Sequence, residues 1–267
     1  MHRVLALMVY VKRRIFKDVV IWYGNYSSWK EALKHCTGYD HPRILEKVKK
    51  ASLKVKNGDA AYERDSVIFM RPRPSNRLFK EITELEQKLE TELHVLDFGG
   101  SLGSAYYQNK NMFLTNPKRT WSIVEQQHFV DAGKANFEDE TLKFYYTIEE
   151  CLQHHAVNLI LCAGVLQCLE EPYKWLKKIA DVGVKYIVIN RIGIIDQKKD
   201  LLTIQYVPES IIESSYPCWF FVKADLISFL DRNGYRLRTE WYDIISKPIF
   251  VEAKLSTWQN LIFEKYE

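Results

Sequence analysis

Apolar residues follow two rhythms along this chain. From residue 93 onward, short runs that are apolar on both faces alternate with stretches of helical period. Strands are expected at Val95-Leu96, at 121–124, at 142–146, at 157–163 and at 186–189. Between them, Phe129, Val130 and Ala135 mark one helix. Thr147-Ile148-Glu149-Glu150 opens a second as a capping box, and Pro172 begins a third that carries Trp175, Leu176 and Ile179. Strands buried on both faces and separated by helices predict a parallel sheet covered on both sides. Residues 191–222 read as a long aromatic connection containing Tyr216-Pro217-Cys218-Trp219-Phe220. After it, Leu226, Phe229 and Leu230 mark a helix ended by Gly234. Tyr235, Leu237, Thr239 and Trp241 then alternate with charged residues as a half-exposed strand, and 260–266 reads as a final strand.

Before residue 93 the rhythm is mainly helical. Ser28-Trp29-Lys30-Glu31 is a capping box that opens a helix over 29–35, with Gly38 ending it. Pro42 suits a first helical position. Ile44, Val48, Ala51 and Val55 then form one face, Lys47, Lys49, Lys50, Lys54 and Lys56 crowd the rest, and Asn57-Gly58 stops the helix. The polar cluster Tyr62-Glu63-Arg64-Asp65-Ser66 runs into Val67-Ile68-Phe69. Arg71-Pro72-Arg73-Pro74 reads as a turn or extended connector. Leu78, Ile82, Leu85 and Leu89 mark an amphipathic helix. The division expected is a basic, mainly helical extension or lid over 1–92 and a ligand-binding domain over 93–267.

Charge sharpens that division. The net charge is +4, yet residues 1–56 carry +9 and the remainder −5. A basic front reads either as a surface for an anionic partner (membrane, phosphorylated substrate or nucleic acid) or as a solvated helix face. The apolar run over 4–11 is too short to span a bilayer and is followed by Lys12-Arg13-Arg14. A cytoplasmic protein is therefore expected, with peripheral contact at the inner face of the membrane left open by the basic front. Five cysteines without CxxC or framework spacing suit a reducing compartment, with no structural zinc and no metal.

The candidate chemistry centres on Asp97-Phe98-Gly99-Gly100-Ser101-Leu102-Gly103-Ser104, an acid and a glycine-rich turn between a strand and a helix. Glycines there admit positive φ and let the backbone approach a ligand. A dinucleotide fingerprint Gly-x-Gly-x-x-Gly would need glycine where Ser101 and Ser104 stand. The S-adenosylmethionine turn, acid-x-Gly-x-Gly-x-Gly, fits Asp97, Gly99 and Gly103 and departs only at Ser101. Glu125, after the second strand, is placed to accept both ribose hydroxyl hydrogens. Tyr146 and Thr147 are candidates to border the adenine. Cys162, Ala163 and Gly164, small residues at the exit of the fourth strand, leave room for the methionine end. These residues with Gly100 form the expected cofactor set.

With those positions in place, 96–189 resembles the class I S-adenosylmethionine-dependent methyltransferases. The chain is similar, more closely, to a bacterial family of predicted methyltransferases encoded among surface-polysaccharide (O-antigen or capsule) genes. The likeness rests on Gly24-Asn25-Tyr26-Ser27-Ser28-Trp29, Gly38-Tyr39-Asp40 and the 62–66 cluster. It continues through the Asp97 turn, Cys162-Ala163-Gly164-Val165-Leu166-Gln167 and 216–220. It implies an α/β fold: a Rossmann-like sheet, mostly parallel, with one antiparallel strand near the C-terminus and a helical N-terminal extension. It also implies O-methylation of a sugar, glycan or glycolipid precursor. Glu63, Asp65 and His128 are candidate bases and Arg64 a candidate anion clamp, the catalytic set; Tyr62, Gln167, Tyr216 and Trp219 are candidate acceptor contacts. A salt-bridged structural cap is the other reading of 62–66. A cofactor-retaining but inactive scaffold and a methyltransferase of another small molecule remain alternatives. A nucleic-acid substrate is not expected, because no Asn-Pro-Pro-Tyr-type motif is present.

Overall fold

The computed structural model describes residues 19–38, 42–71, 77–114, 116, 118–243 and 248–266. The basic stretch before residue 19, Tyr39-Asp40 and the Pro72-to-Pro74 connector lie outside them. The first elements are β1 (Ile21–Tyr23), α1 (Trp29–Leu33), α2 (Pro42–Lys56), β2 (Tyr62–Arg64), β3 (Val67–Phe69) and α3 (Arg77–Glu86). The βα units follow: β4 (His94–Phe98), α4 (Ser104–Leu114), β5 (Thr120–Val124), α5 (Gln127–Asn136), β6 (Leu142–Tyr145), α6 (Ile148–His154), β7 (Leu159–Ala163), α7 (Pro172–Val182) and β8 (Tyr186–Ile195). The chain ends with β9 (Leu201–Val207), β10 (Ser214–Phe220), α8 (Lys223–Arg232), β11 (Tyr235–Tyr242), β12 (Ile249–Val251) and β13 (Lys254–Lys265).

The central sheet has the order β11-β13-β8-β7-β4-β5-β6, with β12 pairing β13. The strands from β4 to β8 are parallel, and β13 is antiparallel to both β8 and β11. This is a doubly wound Rossmann-like sheet with one reversed strand, as the resemblance implied. Successive strand residues point to opposite faces. Val95, Ile123, Leu161 and Val188 therefore join one core with Ile44, Val48, Ile82 and Leu85 of α2 and α3. Leu96, Ile160, Ile187 and Ile189 join the other, under Leu176, Ile179, Leu226 and Leu230. The lysine-edged helix α2 thus buries its apolar face against the same sheet that carries the Asp97 turn.

Four readings of the sequence need correction. Residues 191–222 are not a connection. Strand β8 runs on to Ile195, and β1, β9 and β10 form a separate antiparallel sheet in the order β1-β9-β10. Pro217 argues against an interior strand, but β10 lies at the edge of its sheet, where a missing N–H is tolerated. The final strand starts at Lys254 because a hairpin turns at Glu252 (φ +48) and Ala253 (φ +62). Those residue types do not advertise a two-residue turn. The cluster 62–66 is also a hairpin, with Asp65 (φ +53) and Ser66 (φ +66) at its tip and Tyr62 stacked on Phe69 at 4.5 Å. Finally, α1 ends at Leu33, and Gly38 bridges to Ser215 of β10 instead of closing the helix.

Candidate functional site

Beyond the end of β4 the backbone enters the left-handed region at alternate residues: Gly99 (φ +74), Ser101 (φ +54) and Gly103 (φ +95). Ser101, the one departure from the glycine pattern, adopts the conformation a glycine would take, at a cost of roughly 1–2 kcal/mol for a residue with a Cβ. A Cβ on Gly99 would lie 2.4 Å from Val165, and one on Gly100 would lie 2.6 Å from the Asp97 carboxylate. These two positions therefore exclude side chains for steric reasons, which keeps the acid and the turn in close register.

Asp97 is fully buried. The indole N–H of Trp121 donates to its Oδ2 at 3.1 Å, and its Oδ1 has no partner. Burial pushes its pKa up to about 7 against the Trp121 hydrogen bond, and the Glu125 charge adds to the rise. Glu125 follows β5, half-buried, and accepts the Gln126 N–H at 2.6 Å together with the Ser101 N–H. Burial raises its pKa too, and those N–H groups partly oppose the rise.

Both acids open on one cavity of ≈ 700 Å³. Gly99, Gly100, Ser101, Tyr146, Thr147, Ala163 and Gly164 line it with them. Other elements complete the wall: Glu63, Arg64 and Asp65 from the β2–β3 hairpin, Asn190 and Arg191 from β8, Trp29 from α1, and Tyr216 and Pro217 from β10. Glu63 is 3 % exposed and accepts the Ser66 N–H at 3.1 Å and the Ser104 hydroxyl. Burial pushes its pKa up to about 7; the neighbouring Asp65 adds to this, and the Ser66 N–H and Arg191 oppose it.

Six candidates do not reach the cavity wall. Tyr62 alternates with Glu63 along β2 and stacks on Phe69 instead. Trp219 packs against the apolar core and donates its indole N–H to Leu169 O at 3.1 Å. Gln167 donates to Arg191 O at 3.2 Å, behind the lining. Cys162 is a core thiol whose pKa burial pushes up, while Ala163 takes the cavity side. Gly103 closes the turn onto Gly100 O at 3.0 Å, and His128 packs against Phe129.

Sequence reasoning missed Asn190 and Arg191. They are the two half-buried residues in a strand otherwise buried along its length, so a polar pair inside an apolar run was the available signal. Arg191 has φ +56, and Asn260 Oδ1 accepts both its N–H (2.9 Å) and the Asn190 amide (2.6 Å). Adjacent strand residues ordinarily face opposite sides; the left-handed residue interrupts that alternation, and both residues border the cavity. Ser104 and Gln108, which hold Glu63, were missed as well.

No protein-family model and no curated protein matches the chain. Solved structures do. The N-terminal domain of EvdMO1, crystallised in the presence of SAH (S-adenosylhomocysteine) and D-fucose, superposes with a TM-score of 0.51 at 13% identity, covering 86% of this chain and 98% of that one. The chain shares a Rossmann-like fold with SAH-binding proteins. A variant of LepI in complex with SAH and a substrate analogue gives 0.50 at 12% identity, covering 98% of this chain and 63% of that one. Identities this low carry the fold and leave function to the site.

Proposed function

We propose that this chain is an S-adenosylmethionine-dependent methyltransferase of a small molecule, with a sugar or glycan precursor as the acceptor class. The observation that carries the reading is the unpartnered, buried Oδ1 of Asp97 beside a turn whose side-chain-free residues and Glu125 share its cavity. A buried oxygen without a donor costs about 1–3 kcal/mol, which a ligand donor would recover. Glu125 would hold the ribose hydroxyls, Asp97 a donor of the cofactor, Tyr146 and Thr147 the adenine border, and Ala163 and Gly164 the methionine end. When bound, that cofactor supplies a methyl group already activated on a sulfonium.

Two roles then fall to the chain's own residues. They align the acceptor while excluding water, and they take up the acceptor's proton. Glu63 suits the second role, because it borders the cavity and burial pushes its pKa up to about 7, the range a general base needs at neutral pH. Asp65 and Arg64 flank it. The EvdMO1 structure pairs SAH with D-fucose, which makes sugar hydroxyls the first acceptors to try.

Isothermal titration with SAH and with NADH tests the cofactor, and transfer of labelled methyl to sugars tests turnover. NADH binding without SAH binding would sink the reading; SAH binding without transfer to any acceptor favours an inactive scaffold. Membrane contact remains a separate proposal. No helix among the described residues is long and apolar enough to cross a bilayer, but Lys47, Lys50, Lys54 and Lys56 are exposed on α2. Binding to acidic vesicles that fades with salt would support it, and equal binding to neutral vesicles would remove it.

A further inference from the structure

The roles proposed above for the cofactor and for the acceptor's proton assign nothing to Arg191, yet the chain invests in placing it. A non-glycine residue at φ +56 inside a buried strand is strained, and three groups fix it there: Asn260 on its N–H, Gln167 on its carbonyl, and Gly164, whose absent Cβ would sit 3.3 Å from Nη2. The guanidinium borders the cavity from the middle of β8. In sheet order β7 stands between β8 and the β4 strand that carries the cofactor turn, so the Arg191 backbone lies two strand spacings, about 10 Å, from β4, while its guanidinium lies beside Gly164 at the exit of β7.

Its counter-ion is asymmetric with it. Among the described residues its ion pair is with Asp65 at 3.5 Å, and the buried carboxylates of Asp243 and Glu63 add longer-range attraction. The Asp65 side chain is 65% exposed at a hairpin tip, whereas that of Arg191 is 27% exposed. An exposed carboxylate gives up little when water replaces its partner, while a recessed guanidinium with five donors gains from a bidentate anion.

We propose that Arg191 anchors the acceptor through an acidic group, a carboxylate or a phosphate, that displaces Asp65 from the guanidinium. The acceptor is then an acidic sugar or sugar phosphate rather than a neutral one. Tyr216 and Pro217, which also line the cavity, contact its uncharged part, and Asp65 holds the guanidinium between turnovers. Calling that ligand an acceptor rests on the methyltransferase reading. The anion site itself does not.

The test is calorimetric titration of the SAH-saturated chain with D-glucuronate, D-glucose 1-phosphate and D-glucose. At least one acidic probe binds more tightly than D-glucose, and Arg191→Met removes that preference by about 10- to 150-fold, the value of a charge-assisted contact. Asp65→Asn, which suits a left-handed position, shifts the same probe the other way, because the internal competitor is gone. Affinity for SAH stays within about twofold in both variants if the guanidinium, although it lies beside Gly164, holds the acceptor and not the cofactor's methionine end. The proposal is overturned if neither acid outbinds D-glucose, or if Arg191→Met leaves the preference intact. It is also overturned if Arg191→Met weakens SAH but not 5′-methylthioadenosine, which lacks the carboxylate; the guanidinium then serves the cofactor. Should Arg191→Met fail to fold, Asp65→Asn decides alone, and no gain means no anion site. If the wild-type chain binds no SAH, the cofactor reading falls by itself, and the same titration without SAH still decides the anion site.

Discussion

On one wall of the cavity, Asp97, Gly99, Ser101 and Glu125 come from the single stretch 97–125. On the other, Glu63, Asp65, Arg191 and Tyr216 are gathered from distant parts of the chain. The first wall is closed by local geometry: β4, a turn, α4 and a parallel neighbour, with Gly99 N donating to Val124 O at 2.9 Å. The second is closed by long-range ties, Gly38 on Ser215, Thr37 on Ser215 and Asp65 on Arg191. Loop closure costs more for such ties, and they are local knots of polar contacts rather than continuous ladders. A wall built locally is stiff and readable as a motif. A wall built from distant segments is where acceptor specificity can change without disturbing cofactor binding.

The hardest blow to the local wall is Gly99→Ala. It places a Cβ 2.4 Å from Val165 at φ +74, so strain and overpacking together should cost about 2–5 kcal/mol in denaturant unfolding. SAH binding should disappear with it; a variant that binds SAH normally would show that the turn does not form the cofactor wall. Glu125→Ala comes next. Two hydroxyl partners lost should weaken SAH by about 1.5–3 kcal/mol, roughly 10- to 150-fold by calorimetry, with little change in unfolding.

Titration sharpens the comparison because each wall holds one buried acid. Glu63 and Asp97 both have pKa values pushed up to about 7 in the folded chain. Between the ordinary carboxylate range and pH 7, the folded chain keeps protons that the unfolded chain releases. As far as these two acids contribute, stability of the ligand-free protein should therefore be highest below about pH 4, fall as pH rises from there through about 7, and level off above it. Glu63→Gln and Asp97→Asn should each flatten that fall, as read from melting temperature against pH. An unchanged slope in both variants would mean that neither acid is proton-linked.

The smallest effect belongs to the distant wall. Ser215→Ala removes the oxygen that accepts Thr37 N–H at 2.9 Å, which should cost about 0.5–1.5 kcal/mol of stability. It should leave SAH affinity unchanged. Loss of SAH affinity there would mean that the two walls are coupled and the contrast between them fails.

How much of this was legible differs from residue to residue for physical reasons. The βα alternation, the Asp97 turn and Glu125 are written in contiguous sequence, because strand period, turn sterics and helix starts act over a few residues. Even Ser101 was informative: it departs from glycine in type but keeps the left-handed backbone. Asn190-Arg191 also left a mark, a polar pair in an apolar strand. What it meant depended on Asn260, seventy positions on, since only strand pairing brings that amide to the Arg191 N–H. The β9–β10 sheet was hidden because edge position excuses Pro217, and being an edge is a property of the assembled sheet. Which of Tyr216 and Trp219 faces the cavity was likewise set by register with β9. The sequence by itself determined the strands, the turn and the acids at their ends, since short-range forces specify them. Only the tertiary structure decided which distant side chains close the opposite wall, because register and sheet order are settled by packing across the whole chain.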